Sequence, residues 1–192
     1  MKENSVLGDY ENMVARLEKR EGLDSSKPAW SYQYFLEEAQ KLFIQKSTDY
    51  EDRYLKGLVD LNARTIWTWE VEKKLDRLRS WIKRGELQVK DEGIRNSVDD
   101  LFIYTVQYVA YIQEVVNSGI DENVFLSNAK NYRASFFWEY AHKLKPGEWV
   151  EFLESKGLIK QEELLLKNII RSYMGENIET TDWKQAIKAI LS

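Results

Sequence analysis

A chain of 192 residues, 43% of them hydrophobic, is long and apolar enough to bury a core without staples, which excludes a disordered segment. Its 28 basic and 32 acidic residues leave a net charge of −4, which excludes general nucleic-acid binding through a basic surface. It has no cysteine, so disulfides and thiolate metal sites are excluded, and no run of about 18 uncharged apolar residues that would span a membrane.

Two prolines and nine glycines leave long stretches unbroken, which predicts an all-α fold. Residues 3–20 read as a charged helix with Val6, Tyr10, Met13, Val14 and Leu17 at three- and four-residue intervals. A loop over 21–27 leads to Pro28, a residue suited to a helix entry. Residues 29–47 form the second helix, with Tyr34, Leu36, Ala39, Leu42 and Phe43 as its buried positions. Ser47, Thr48 and Asp49 are turn formers, so the direction changes there, and 50–60 read as a short helix closing at Gly57.

Residues 62–84 form a long helix with Ile66, Trp69, Leu75, Leu78 and Ile82 as its apolar stripe, ended by Gly85. Residues 89–118 form the next. From Leu101 onward it is apolar almost all round, which makes it the central buried helix, and Gly119 ends it. Residues 121–144 form an aromatic helix broken by Pro146 and Gly147; 147–156, 160–174 and 180–191 form three more, the last capped by Thr181 and Asp182. A boundary near 119–121 divides a core over 1–119 from a C-terminal helical extension over 120–192.

Much chemistry is ruled out by residue type. The lone His142 sits in a lysine-flanked stretch without a neighbouring nucleophile, and no glycine-rich phosphate loop of a common type is present. What remains is carboxylate-based. Glu72 and Asp76 lie one helical turn apart, and Glu92, Asn96 and Asp100 share one face at four-residue steps. Two such helices hold Mg²⁺ in a bundle, but acids at a helix start also simply complement the macrodipole. Asp100 fits that plainer account less well. It stands where the apolar run begins, and a carboxylate entering a buried helix needs a cation or a metal beside it. Lys46, Asp49 and Tyr50 form a second group. They suit a phosphate contact with base stacking, but a lysine on a helix C-terminus followed by a turn accounts for them slightly better.

Taken in order, Lys46, then Asp49-Tyr50, then Lys74, Arg77 and Leu78, then Glu92, Ile94, Asn96, Ser97, Asp100, Leu101 and Tyr104 resemble the nucleotide-modification-associated domain of phage and bacterial proteins. That domain is similar to the all-α nucleotide pyrophosphatases of the MazG and dimeric dUTPase type. The resemblance spans about residues 35–112 and implies a helical bundle of MazG-like type. It implies that Lys46, Asp49, Tyr50 and Asn96 approach a nucleotide, that Lys74 and Arg77 meet phosphate, and that Glu92 and Asp100 hold Mg²⁺ and serve catalysis. Glu72 and Asp76, with Glu70, would stand in for the family's first metal-binding acids. The chain departs from the pattern at Asn96, where the family has an acid.

Three functions are expected on this basis: a Mg²⁺-dependent nucleoside triphosphate pyrophosphohydrolase, a phage-type sponge that sequesters a nucleotide signal, or an all-α adaptor without a ligand. The expected location is the cytoplasm, that of the host if the protein is phage-encoded. A homo-oligomer is expected, with Phe136 to Tyr140 as either its interface or intrachain core.

Overall fold

The structure, a computed structural model, describes residues 11–12, 14–15, 30–84 and 93–191. Its regular elements are helices, and no strand occurs among the described residues. They are α1 (Tyr32–Asp49), α2 (Arg53–Asp60), α3 (Ala63–Arg84), α4 (Ile94–Tyr111), a π segment (Ile112–Asn117), α5 (Glu122–Asn131), α6 (Arg133–Ala141), α7 (Pro146–Ser155), α8 (Leu164–Tyr173) and α9 (Thr180–Leu191). Among the described residues no helix is long and apolar enough to cross a membrane. Most of the helix expected over 3–20, and the Gly85 cap, lie outside the described residues.

The internal contacts divide the chain into two compact units. One comprises Met1–Phe35, Asp76–Val98 and Lys145–Ser192, the other Leu36–Leu75 and Asp99–Leu144. The boundary expected near 119–121 falls inside the second.

In the first unit α7 starts at Pro146, where a missing N–H costs nothing, and the Glu148 side chain accepts the Lys145 backbone N–H at 3.1 Å. Its core gathers Trp149 and Leu153 of α7, Ile169 and Ile170 of α8, and Trp183 and Ile187 of α9. Arg79 ties α3 to this core. Its guanidinium donates to Glu163 at 2.9 Å, to the Leu158 carbonyl at 2.7 Å and to Asp76 at 3.0 Å. The Trp30 indole N–H donates to the Tyr173 carbonyl at 3.0 Å. Gly175 follows with φ 93°, and a Cβ there would collide with the Ser31–Tyr32 backbone, so only glycine fits. Thr181 and Asp182, expected as caps, sit inside the first turn of α9, because the helix begins at Thr180.

In the second unit, most of α4 beyond Leu101 is buried, as the apolar run predicts. Phe102, Val106 and Ala110 of α4 share the core with Phe43 of α1, Leu55 and Leu58 of α2, and Phe137 of α6. Phe43 and Phe137 stack at 4.9 Å, and Phe136 meets Phe125 edge-on at 5.6 Å. Phe136, Phe137 and Tyr140 are thus intrachain core. The helix expected over 121–144 is two helices, because Tyr132 leaves helical geometry at φ −130° and ψ 44°.

The apolar stripe of α3 is displaced from the expected one. Trp67, Val71, Leu75, Leu78 and Trp81 are buried, whereas Trp69 is 65% exposed. Both stripes have helical spacing. Trp67 wins because its ring stacks on Tyr108 at 4.2 Å and its N–H donates to the Thr105 hydroxyl at 3.1 Å.

Candidate functional site

The last turn of α1 runs through Asp49, two residues further than its turn formers suggest. The reversal that follows puts Glu51 and Asp52 at φ 51° and 55°, a left-handed conformation that costs L-residues about 1–2 kcal/mol each. The Asp52 N–H closes the turn on the Ser47 carbonyl at 2.9 Å. This reversal forms one side of a cavity of about 440 Å³ within the second unit, a volume suited to a small-molecule ligand.

The cavity's walls come from α1, α2, α3 and α4. Phe43, Ile66 and Ile103 supply apolar surface, Tyr50, Tyr54 and Tyr104 aromatic surface, and Lys46, Arg53, Asp52, Glu70 and Asp100 the charges. The Tyr54 and Tyr104 rings lie 4.6 Å apart, and the Tyr54 hydroxyl donates to the Tyr104 carbonyl at 3.2 Å. Burial, with Glu70, Asp100 and Tyr50 nearby, pushes the Tyr104 phenol up to about 12. Burial also pushes the Tyr54 phenol well above its ordinary value, so both rings are neutral at physiological pH.

Asp100 has the partner its position demands. Lys46 reaches one carboxylate oxygen, and Lys74 reaches the other at 2.9 Å. The Asp100 side chain is 13% exposed against 41% for Lys46, so the carboxylate is sheltered while Lys46 keeps access to solvent. Lys74 stands behind Asp100 and is not on the cavity wall. Two ammoniums on one carboxylate leave the group a positive charge. Glu70 carries Lys73 at 2.9 Å and Asp52 carries Arg133 at 2.9 Å.

Of the residues singled out from the sequence, the structure brings together Lys46, Tyr50, Lys74 and Asp100. Asp49 is exposed at the end of α1 and Glu72 is exposed on α3; neither lines the cavity. Asp76, Arg77 and Asn96 belong to the first unit, where Asp76 binds Arg79 and Asn96 is exposed. Glu92 lies outside the described residues. His142 is exposed at the C-terminal cap of α6, its Nδ1 against the Trp138 carbonyl.

Asp52, Arg53 and Tyr54 were not foreseen. Nothing local marks them, because their role comes from the α1–α2 reversal and, for Asp52, from a partner 81 residues away.

Mg²⁺ needs several free oxygen ligands. Among the described residues no three of His, Cys, Asp and Glu converge as a metal site requires, and both Asp100 oxygens hold lysines. Among the described residues, of which Glu92 is not one, the donor set does not fit the ion. Comparison with protein-family models, with curated proteins and with solved structures finds no match.

Proposed function

We propose that the cavity captures a phosphorylated, base-bearing small molecule, a nucleotide or a nucleotide-derived signal, and holds it without turnover. The observation that carries this reading is the Lys46–Asp100 pair at the wall of a tyrosine-lined cavity, with Lys74 behind it. Lys46 and Arg53 supply cations on the wall, and the ligand's phosphate takes up the positive charge that Asp100 leaves unbalanced. Tyr50 is 68% exposed, and it offers a ring face to a base beside the Tyr54–Tyr104 pair. Stacking on such a face contributes about 1–3 kcal/mol per base.

Capture is favoured over pyrophosphate hydrolysis because hydrolysis needs carboxylates free to hold metal, and Asp100 is held by lysines. The test is calorimetry and thermal shift with a panel of ribo- and deoxyribonucleotides, followed by denaturation and mass analysis of what the protein releases. Intact ligand, recovered stoichiometrically and lost in Lys46→Met, supports capture. Pyrophosphate release in the presence of Mg²⁺ makes the protein a hydrolase instead. Silence across the panel leaves an all-α adaptor without this ligand.

A further inference from the structure

Asp52 occupies the residue before α2, the position where an aspartate ordinarily caps a helix with its carboxylate. It makes no such bond. Its backbone is left-handed, φ 55° and ψ 29°, directly after Glu51 in the same conformation. Two adjacent non-glycine residues of this kind are held by their surroundings rather than by local preference.

What the turn achieves is a placement. The Asp52 side chain is 7% exposed and lines the cavity. Oδ2 accepts from the Arg133 guanidinium at 2.9 Å, and Oδ1 is buried with no partner among the described residues. The other oxygen is paired with the Arg133 guanidinium, so Oδ1 is the carboxylate acceptor left over, already stripped of water. The cap bond is absent and the turn is strained, and one carboxylate oxygen of a cavity-lining residue is left unspent.

We propose that Asp52 Oδ1 is the specificity-determining acceptor of the cavity: it reads an N–H or O–H donor on the bound molecule. The proposal rests on the nucleotide-capture reading and deepens it. With Oδ2 held by Arg133, a single oxygen is offered, so one donor is selected rather than a paired edge. A base amino or imino group and a ribose hydroxyl both meet this requirement. Ligands that present a lone pair there, such as a carbonyl, meet a buried negative charge and are rejected.

The unaltered protein tests this without any substitution. Titration calorimetry compares guanosine with inosine triphosphate, cytidine with uridine triphosphate, and each ribonucleotide with its 2′-deoxy form. At least one pair should differ by about tenfold or more in favour of the donor-bearing member. A base pair that differs assigns the donor to the base, and a ribo/deoxy difference assigns it to the sugar. Asp52→Asn presents an amide to the ligand, and it should erase or reverse that preference, with Glu51→Gly as the control that leaves both Asp52 and its Arg133 bond in place. Binding without discrimination in every pair overturns the role of Asp52 and leaves capture standing. Binding of no nucleotide overturns both. Equal weakening of all ligands in a folded Asp52→Asn assigns the residue to the turn alone and overturns the inference.

Discussion

Lys74 Nζ lies 2.9 Å from Asp100 Oδ2, and Lys46 reaches the other oxygen of the same carboxylate. One sheltered acid therefore holds the last turn of α1 and the middle of α3 against α4. The arrangement is asymmetric. Removing either lysine leaves Asp100 with a partner, but removing its charge leaves two ammoniums facing each other.

Asp100→Asn is therefore expected to destabilise by about 1–3 kcal/mol. Lys74→Met should cost less than about 1 kcal/mol, because Lys46 still pairs the acid. Urea unfolding of the two variants gives the comparison. A Lys74→Met penalty equal to or above that of Asp100→Asn would contradict the shared-carboxylate account.

Glu51 is exposed and left-handed, and among the described residues no ion pair holds it there. Glu51→Gly should stabilise by up to about 1 kcal/mol by relieving the backbone, despite the greater freedom of glycine in the unfolded chain. Glu51→Ala, which keeps a Cβ, should show no such gain. The same unfolding assay reads both.

Thr105 Oγ1 accepts the buried Trp67 N–H at 3.1 Å and donates to the Leu101 carbonyl at 2.6 Å. Thr105→Val keeps the shape and removes the hydroxyl that accepts the buried indole N–H, so it should cost about 1–3 kcal/mol. Thr105→Ser keeps the hydroxyl and loses a methyl, a cost of about 0.8 kcal/mol. Valine proving the milder substitution would mean that the bond contributes nothing to stability.

Burial alone would raise the Glu163 carboxyl, but the Arg79 guanidinium and the Lys160 backbone N–H outweigh it, and its pKa falls below the ordinary value. A depressed folded-state value stabilises fully above the unfolded pKa. That contribution is lost as the pH falls through the folded one. Glu163→Gln should therefore lower stability near neutrality and flatten the acid limb between about pH 5 and about pH 3. Thermal melts across that range check the slope, and parallel curves for the two proteins would argue against this linkage.

Much of the helical layout was legible locally. Apolar spacing predicted α1, α3, α4 and the three C-terminal helices, and the unbroken apolar run after Leu101 predicted the burial of α4. The face of α3 was not legible. Ile66–Trp69 and Trp67–Val71 both begin acceptable stripes, and only the Tyr108 ring and Thr105 hydroxyl decide between them. The break at Tyr132 was also missed, and the reversal expected at Ser47–Asp49 falls at Glu51–Asp52, because neither place carries the glycine or proline that usually announces such a turn.

The sequence by itself determined that this chain builds helices around an aromatic core, and that Asp100, an acid at the head of an apolar run, needs a counter-charge. Lys46 and Lys74 stood out only through the family resemblance, as nucleotide and phosphate contacts. Tertiary structure alone decided that both lysines serve this one carboxylate, 54 residues from Lys46, and that Asp52 meets Arg133 rather than capping α2. The reason lies in range. Periodicity and propensity are written within a few turns of one helix, whereas a charge is satisfied by whichever element packs beside it, and that depends on the whole arrangement of helices around the cavity.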